Sequence, residues 1–355
     1  MQFNPEMMIL ARESRSLTQT DLADIIPFAQ GTISKIEGGV LAAPANLVSS
    51  LANELKYSEE FFYQSDPVFG FNSAVFFHRK RKALPEGVLR KLHAQMNLTR
   101  MRIKRLFRVI RADNPLRFYP LLVDEYKGGV VDIARTVRSS WMMPSGPVRN
   151  VMEAIESAGG VIVKFDFGTR QIDAISEWTP HNPPIFLVND HHEISGARMR
   201  LTLAHEVAHV MMHTESGPRP DIEMEANKFA AEFLMPRQQI KASLYGLTVA
   251  KLADLKRIWK VSMQALIQRA YELKTLTEGQ RKYMIINVTR ASGGRMQELA
   301  DDQIPIEQPS LVSRLIAEHV GPLGYSVSDL AKLLFFTDED EFRLQFLREK
   351  RLRLV

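Results

Sequence analysis

Most hydrophobic positions in this chain recur at helical spacing. From Met7, Met8, Leu10 and Ala11 onward, residues 5–64 read as a compact set of short helices. Thr18, followed three residues on by Asp21, has the form of a capping box with Asp in place of Glu and starts the second helix. Ala29 to Glu37 predicts a third, closed by Gly38 and Gly39, with Ile33 and Ile36 facing inward. Pro44 to Leu55 and Ser58 to Tyr63 predict a fourth and a short fifth. Beyond a linker at Tyr63 to Gly70, the positions Leu89, Leu92, Met96, Ile103, Leu106 and Ile110 mark one long amphipathic helix, with Lys91, Arg102 and Arg105 on its other faces.

Two runs break the helical rhythm. Val161 to Phe165 and Pro184 to Val188 are dense enough in β-branched and aromatic residues to predict strands. Ala197 to His213 then reads as one helix, and a turn at residues 214–220 containing Gly217, Pro218 and Pro220 leads to another. That second helix carries Asp221 near its start, runs through Glu223 to Met235, and is closed by Pro236. Helical spacing returns from Thr248 to Ala270, and Ser326 is a good N-cap for a helix through Leu334. There is no internal repeat, and residues 280–355 carry no recognisable motif. The pattern predicts a mostly α fold with a small β-sheet (α+β).

Chemistry concentrates in the helix after the second strand. His205-Glu206-Val207-Ala208-His209 puts two imidazoles four residues apart, on one helical face, where both can hold one metal ion. Glu206 lies beside such an ion rather than on it, placed to take a proton from the attacking water. A solvated helix that happens to carry two His and a Glu is the plain alternative. Zinc that keeps one position open needs a third protein ligand, and Glu223 on the next helix is the first choice. Asn227, one turn along the same face, can hold a ligating His by its outer ring nitrogen. Glu225 points about 160° away from Glu223 on an ideal helix, which makes it a solvated or capping carboxylate. His213 continues the His face, either as a helix-end or core residue or as a substrate contact.

These motifs carry a resemblance. Arg198 to His209, then Glu223-x-Glu225-Ala226-Asn227-x-Phe229-Ala230-Ala231 and Leu234-Met235-Pro236, with Val261-Ser262, Ala265-Leu266 and Arg269, resemble the ImmA/IrrE family of metallopeptidases over roughly residues 130–275. That family usually has Leu-Gly where this chain has Val207-Ala208, a change that adds a methyl but removes no ligand. A metzincin pattern does not fit, because it asks for Gly and His where Met212 and Glu215 stand. The resemblance implies a zincin-like domain in which His205, His209 and Glu223 hold Zn2+, with Mn2+ or Fe2+ also suited to two His and a carboxylate. It further implies a protein substrate, a transcriptional repressor cleaved under stress or on induction of a mobile element. Relatives often act on a separate helix-turn-helix repressor. His181, His191, His192, His213 and Tyr245 are all available to steady an oxyanion.

Composition and charge refine the picture. The 355 residues are 45% hydrophobic and 25% charged and contain no cysteine, so thiolate metal sites, disulfides and cysteine nucleophiles are excluded. Met1 to Glu6 lacks the start of a signal peptide and no apolar run is long enough to span a membrane, so the cytoplasm is the expected compartment. The net charge of +5 is uneven. Residues 1–64 hold 4 Lys/Arg against 8 Asp/Glu, whereas residues 71–120 hold 13 against 2. The Leu17-Thr18-Gln19 and Thr32-Ile33-Ser34-Lys35-Ile36-Glu37 stretches nonetheless resemble the phage-repressor (XRE) type of helix-turn-helix domain. In that reading Gln19, Gln30, Thr32, Ser34 and Lys35 face DNA, and Gln can pair with an adenine edge. The basic run Arg79 to Lys82 is suited to phosphate tracking, or to a solvated stripe or a partner for the acidic N-terminal residues. A protein-docking bundle is the alternative for residues 1–64.

Four segments are expected: a helix-turn-helix domain at 1–64, a linker and basic amphipathic segment at 65–128, a metallopeptidase domain at 129–275, and a helical C-terminal region at 276–355. The expected whole is a DNA-binding regulator joined to a metal-dependent endopeptidase. Its partners would be DNA and a repressor-type protein, with self-cleavage or a second copy in a homodimer also allowed. The rival expectation is a non-catalytic regulator whose metal site is a sensor or structural.

Overall fold

The computed structural model describes residues 2–70, 84–109, 117–179, 181–213, 220–293 and 298–347. The basic run Arg79 to Lys82, Ile110, and Thr214 to Arg219 of the expected turn lie outside the described residues. Along the chain the main elements are α1 (Pro5–Ser14), α2 (Gln19–Ile25), α3 (Gln30–Glu37), α4 (Ala45–Leu55), α5 (Glu86–Val109), α6 (Val130–Ser140) and α7 (Val151–Ser157). Three strands follow, β1 (Val161–Phe165), β2 (Ala174–Glu177) and β3 (Ile185–Asn189). Then come α8 (Gly196–Met212), α9 (Ile222–Leu234), α10 (Val249–Trp259), α11 (Met263–Glu272), α12 (Glu278–Ala291), α13 (Leu311–Val320) and α14 (Val327–Leu333). The protein is mostly α with a small sheet. Among the described residues no helix is long and apolar enough to cross a membrane.

The chain divides into two compact units, one drawn from residues 1–113, 164–171 and 310–355, the other from 114–163 and 172–309. The first is built around α1 to α4. Asn4 caps α1, and Thr18 and Asp21 cap α2 reciprocally, with Asp21 Oδ2 accepting from the Thr18 amide at 2.7 Å. The shorter Asp side chain thus closes the capping box that Glu would. Ile33 and Ile36 of α3 are buried with Leu47, Leu51 and Leu55 of α4. Arg12 of α1 clamps the end of α3, its Nε donating to Glu37 Oε1 at 2.6 Å and its Nη1 to the Leu17 carbonyl at 2.8 Å.

Helix α5 belongs to this same core, contributing Ala94, Leu98 and Met101. Helical periodicity puts Arg102 and Arg105 on faces away from its apolar stripe, yet both are buried. Their guanidinium groups lie over Phe336 at 4.0 Å and Phe335 at 4.4 Å, while Arg100 lies over Phe69 at 4.5 Å. Arginine tolerates this because its planar, weakly hydrated cation stacks on aromatic faces. Burial pushes the Arg100 pKa down to about 10. Phe335 and Phe336 come from the C-terminal region, which is further tied to the N-terminal residues by an Arg15–Glu341 ion pair at 2.6 Å.

The second unit contains β2, β3 and most of β1, and the sheet order is β1-β3-β2. β2 pairs antiparallel with β3, from Ala174 opposite Val188 to Glu177 opposite Ile185, which leaves β2 at an edge. Helix α8 packs against β2 and α7, α9 lies along α8, and α6 lies against α9. Nearly every turn of α8 is buried, including Leu203, Ala204, Val207, Ala208, Val210 and Met211, so this helix is the centre of the core. Ala208, at the position where Gly is usual in the resembling family, packs with its methyl fully buried.

The unit continues past residue 275. Glu298 accepts from the Met263 amide at 2.6 Å and from Lys256 Nζ at 2.9 Å, and Asp301 accepts from the same Lys256 at 2.7 Å. Glu307 caps α7 through the Val151 amide at 2.8 Å and pairs with Arg200 of α8, whose side chain is almost fully buried. Residues 298–309 are therefore a strap of carboxylates that neutralises two buried cations.

Candidate metal centre and helix-turn-helix surface

Because α8 turns once every 3.6 residues, His205 and His209 stand one above the other, and their Nε2 atoms face each other at 2.9 Å. Glu223 of α9 reaches the pair, with Oε2 at 3.5 Å from His205 Nε2 and Oε1 at 3.7 Å from His209 Nε2. One ligand atom from each of the three residues lies within 4.8 Å of the others. His209 is buried, His205 partly so, and Glu223 is the open side, with 46% of its side chain exposed.

The outer nitrogens of both rings are engaged. Asn227 Oδ1 lies 3.0 Å from His205 Nδ1. His209 Nδ1 lies 2.9 Å from His213 Nδ1, and His213 Nε2 lies 3.0 Å from Glu225 Oε2. With each Nδ1 held from outside, Nε2 is the nitrogen left to face the other donors. Two imidazole nitrogens and a carboxylate converging in this way form a donor set that fits a divalent cation such as zinc. Glu225 corrects the sequence expectation: it is not a solvated or capping group but a partner of His213, with 14% of its side chain exposed. His213 follows the last residue of α8 and is buried, as a helix-end or core His would be.

Glu206 is completely buried on the β2 side of α8. Ser176 Oγ, from β2, donates to Glu206 Oε2 at 2.8 Å. Neither β2 nor Ser176 was among the sequence expectations. Ala174-Ile175-Ser176-Glu177 is four residues long with one β-branched side chain, too weak a signal to mark a strand. Of the residues available for an oxyanion, His192 lies 3.9 Å from Asp173, and Tyr245 is exposed.

Two histidines one helical turn apart, a carboxylate from the neighbouring helix and a fixed glutamate between them are the elements of a metallopeptidase centre. Residues 155–271 match the family described as the IrrE N-terminal-like domain, a family of peptidases. That stretch, about a third of the chain, is therefore similar to a metallopeptidase domain, and the family implies a bound metal. The match does not reach residues 1–154. No curated protein matches the chain.

In the first unit, α2 and α3 pack together across a turn at residues 26–29. Gln30, Ser34 and Lys35 are exposed on α3 and Thr32 is half-buried. Gln30 Nε2 donates to Gln19 Oε1 at 2.8 Å, and Gln19 Nε2 donates to Glu37 Oε2 at 2.8 Å. The chain of bonds ends on Arg12, so the two glutamines at the surface are held from the buried Arg12–Glu37 pair.

Proposed function

We propose that this chain is a DNA-binding regulator joined to a metal-dependent endopeptidase of the HExxH type. The observation that carries the enzymatic part is Glu206: a carboxylate in the core, held by Ser176 and next in sequence to His205 of the His205–His209–Glu223 donor set. A structural metal site has no use for a base at that position. His205, His209 and Glu223 would hold the metal, and zinc is the ion this donor set suits. When bound, such an ion polarises a peptide carbonyl and makes water acidic enough to attack it at neutral pH. Glu206 takes the proton of the attacking water and passes it to the leaving amine. Ser176, donating to Oε2, holds that carboxylate in place. Strand β2, at the sheet edge and against α8, supports an extended peptide bound by backbone hydrogen bonds.

The substrate in this reading is a repressor-type protein, either a separate partner or a second copy of this chain, cleaved in response to stress or mobile-element induction. Residues 1–64 would bring the enzyme to DNA, with α3 in the major groove and Gln30 at its N-terminal end facing bases. The pre-ordered Gln19–Gln30 pair supports this, since side chains already fixed lose less entropy on binding. The test of the activity is direct. Purified protein with zinc or manganese, incubated with a candidate repressor or alone and run on a gel, should give fragments, and the Glu206→Gln variant should give none. Equal cleavage by both would remove Glu206 from the chemistry.

A further inference from the structure

We propose that His213 and Glu225 are positioning residues for the metal centre, acting through His209 by fixing which of its ring nitrogens carries the proton. The proposal rests on reading His205, His209 and Glu223 as metal ligands, and extends it to two residues outside the donor set. The contact between His209 Nδ1 and His213 Nδ1, 2.9 Å long, holds a single proton. Its direction is decided at the far end. Glu225 Oε2, 3.0 Å from His213 Nε2, is the acceptor for that nitrogen's N–H. In that tautomer His213 accepts at Nδ1, and His209 donates to it from its own Nδ1. The remaining lone pair of His209 lies on Nε2, toward His205 and Glu223. The opposite tautomer would put a proton where the metal binds.

Water cannot substitute for this arrangement, because the His213 side chain has no exposed surface. The two ligating histidines are thereby served differently from one stretch of α9. Asn227 offers His205 a neutral amide oxygen directly, whereas Glu225 reaches His209 through an intervening imidazole. A hydrogen-bonded carboxylate raises the basicity of the ring it serves, and losing an outer partner of this kind weakens metal binding by about 10–100-fold.

Zinc titration of the full chain against a competing chelator, with thermal unfolding of the metal-free protein alongside, tests this. His213→Ala and Glu225→Ala should each raise the zinc Kd by about 10–100-fold. His213→Asn should recover most of that affinity, since its Oδ1 falls where His213 Nδ1 lies and gives His209 the kind of partner that His205 already has. In the His213→Ala background, adding Glu225→Ala should cost nothing more in zinc affinity, because the proposed path from Glu225 to His209 runs through His213. Wild-type affinity in both single variants overturns the proposal. So does additivity in the double variant, or a His213→Asn protein that binds as weakly as His213→Ala while its metal-free form unfolds normally. If His213→Ala does not fold, Glu225→Ala decides by the same titration. A wild-type chain that binds neither zinc nor manganese removes the metal centre itself, and this outcome is distinguished by the wild-type curve alone.

Discussion

At the residue scale, binding and chemistry belong to different residues in the proposed reading. His205→Ala, His209→Ala and Glu223→Ala should each lose bound metal, because each removes one of three convergent donors. Glu206→Gln should keep the metal and lower turnover by about 10²–10⁴-fold, the usual worth of a general base. Metal analysis of the purified variants beside a cleavage assay checks both halves. A folded but metal-free Glu206→Gln protein would make Glu206 a ligand. Ser176→Ala should act on turnover alone: a buried carboxylate loses a hydrogen bond worth about 1.5–3 kcal/mol, and kcat should fall tenfold or more with metal content unchanged. The spacing of His205, Glu206 and His209 is legible in the sequence because the helix itself imposes it. Ser176 is not legible, since its partner lies 30 residues away and only the packing of β2 on α8 joins them.

At the element scale, α3 is expected to carry DNA sequence preference. Replacing Gln30 should change the preferred base at one position by about 1–3 kcal/mol, measured by binding to a panel of single-base variants. Neutralising Arg79, Lys80, Arg81 and Lys82 should instead weaken binding to all sequences, lowering the log–log salt slope by roughly 0.9 for each phosphate no longer neutralised. The acidic balance of residues 1–64 supplies the opposing outcome. If neither that region nor the full chain selects any DNA at low salt, residues 1–64 are better described as a protein-docking module for the peptidase's substrate. The burial of Arg100, Arg102 and Arg105 bears on this, because it removes three of the 13 cations in residues 71–120 from any phosphate-facing surface.

At the scale of the whole molecule, buried cations are neutralised by carboxylates distant from them in sequence. A chain ended at residue 275 loses Glu298, Asp301 and Glu307 together, leaving Lys256 and Arg200 as unpaired charges in the core. Glu307→Ala alone should lower stability by about 3–5 kcal/mol, the usual cost of stranding one buried partner. Thermal unfolding of this variant, and the yield of folded protein from the shortened chain, provide the check. Normal unfolding in both would mean that the strap of residues 298–309 adds nothing to the core it crosses.

What the sequence determined by itself is what depends on near neighbours along the chain. Helical periodicity placed α1 to α4, α8 and α9, and the Thr18–Asp21 capping box was visible because both partners lie in one turn. The side-by-side placement of His205 and His209 likewise follows from 3.6 residues per turn. Tertiary structure decided the rest. Glu225 reads as a solvated carboxylate by its helical angle from Glu223, but becomes His213's partner because the end of α8 brings that ring to it. Arg102 and Arg105 read as the polar faces of an amphipathic helix, but Phe336 and Phe335, more than 200 residues later, cover them. The physical reason is the same in each case. A polar side chain's surroundings are set by whichever distant segment packs over it, and hydrophobic spacing records which face is apolar but not what will cover the other.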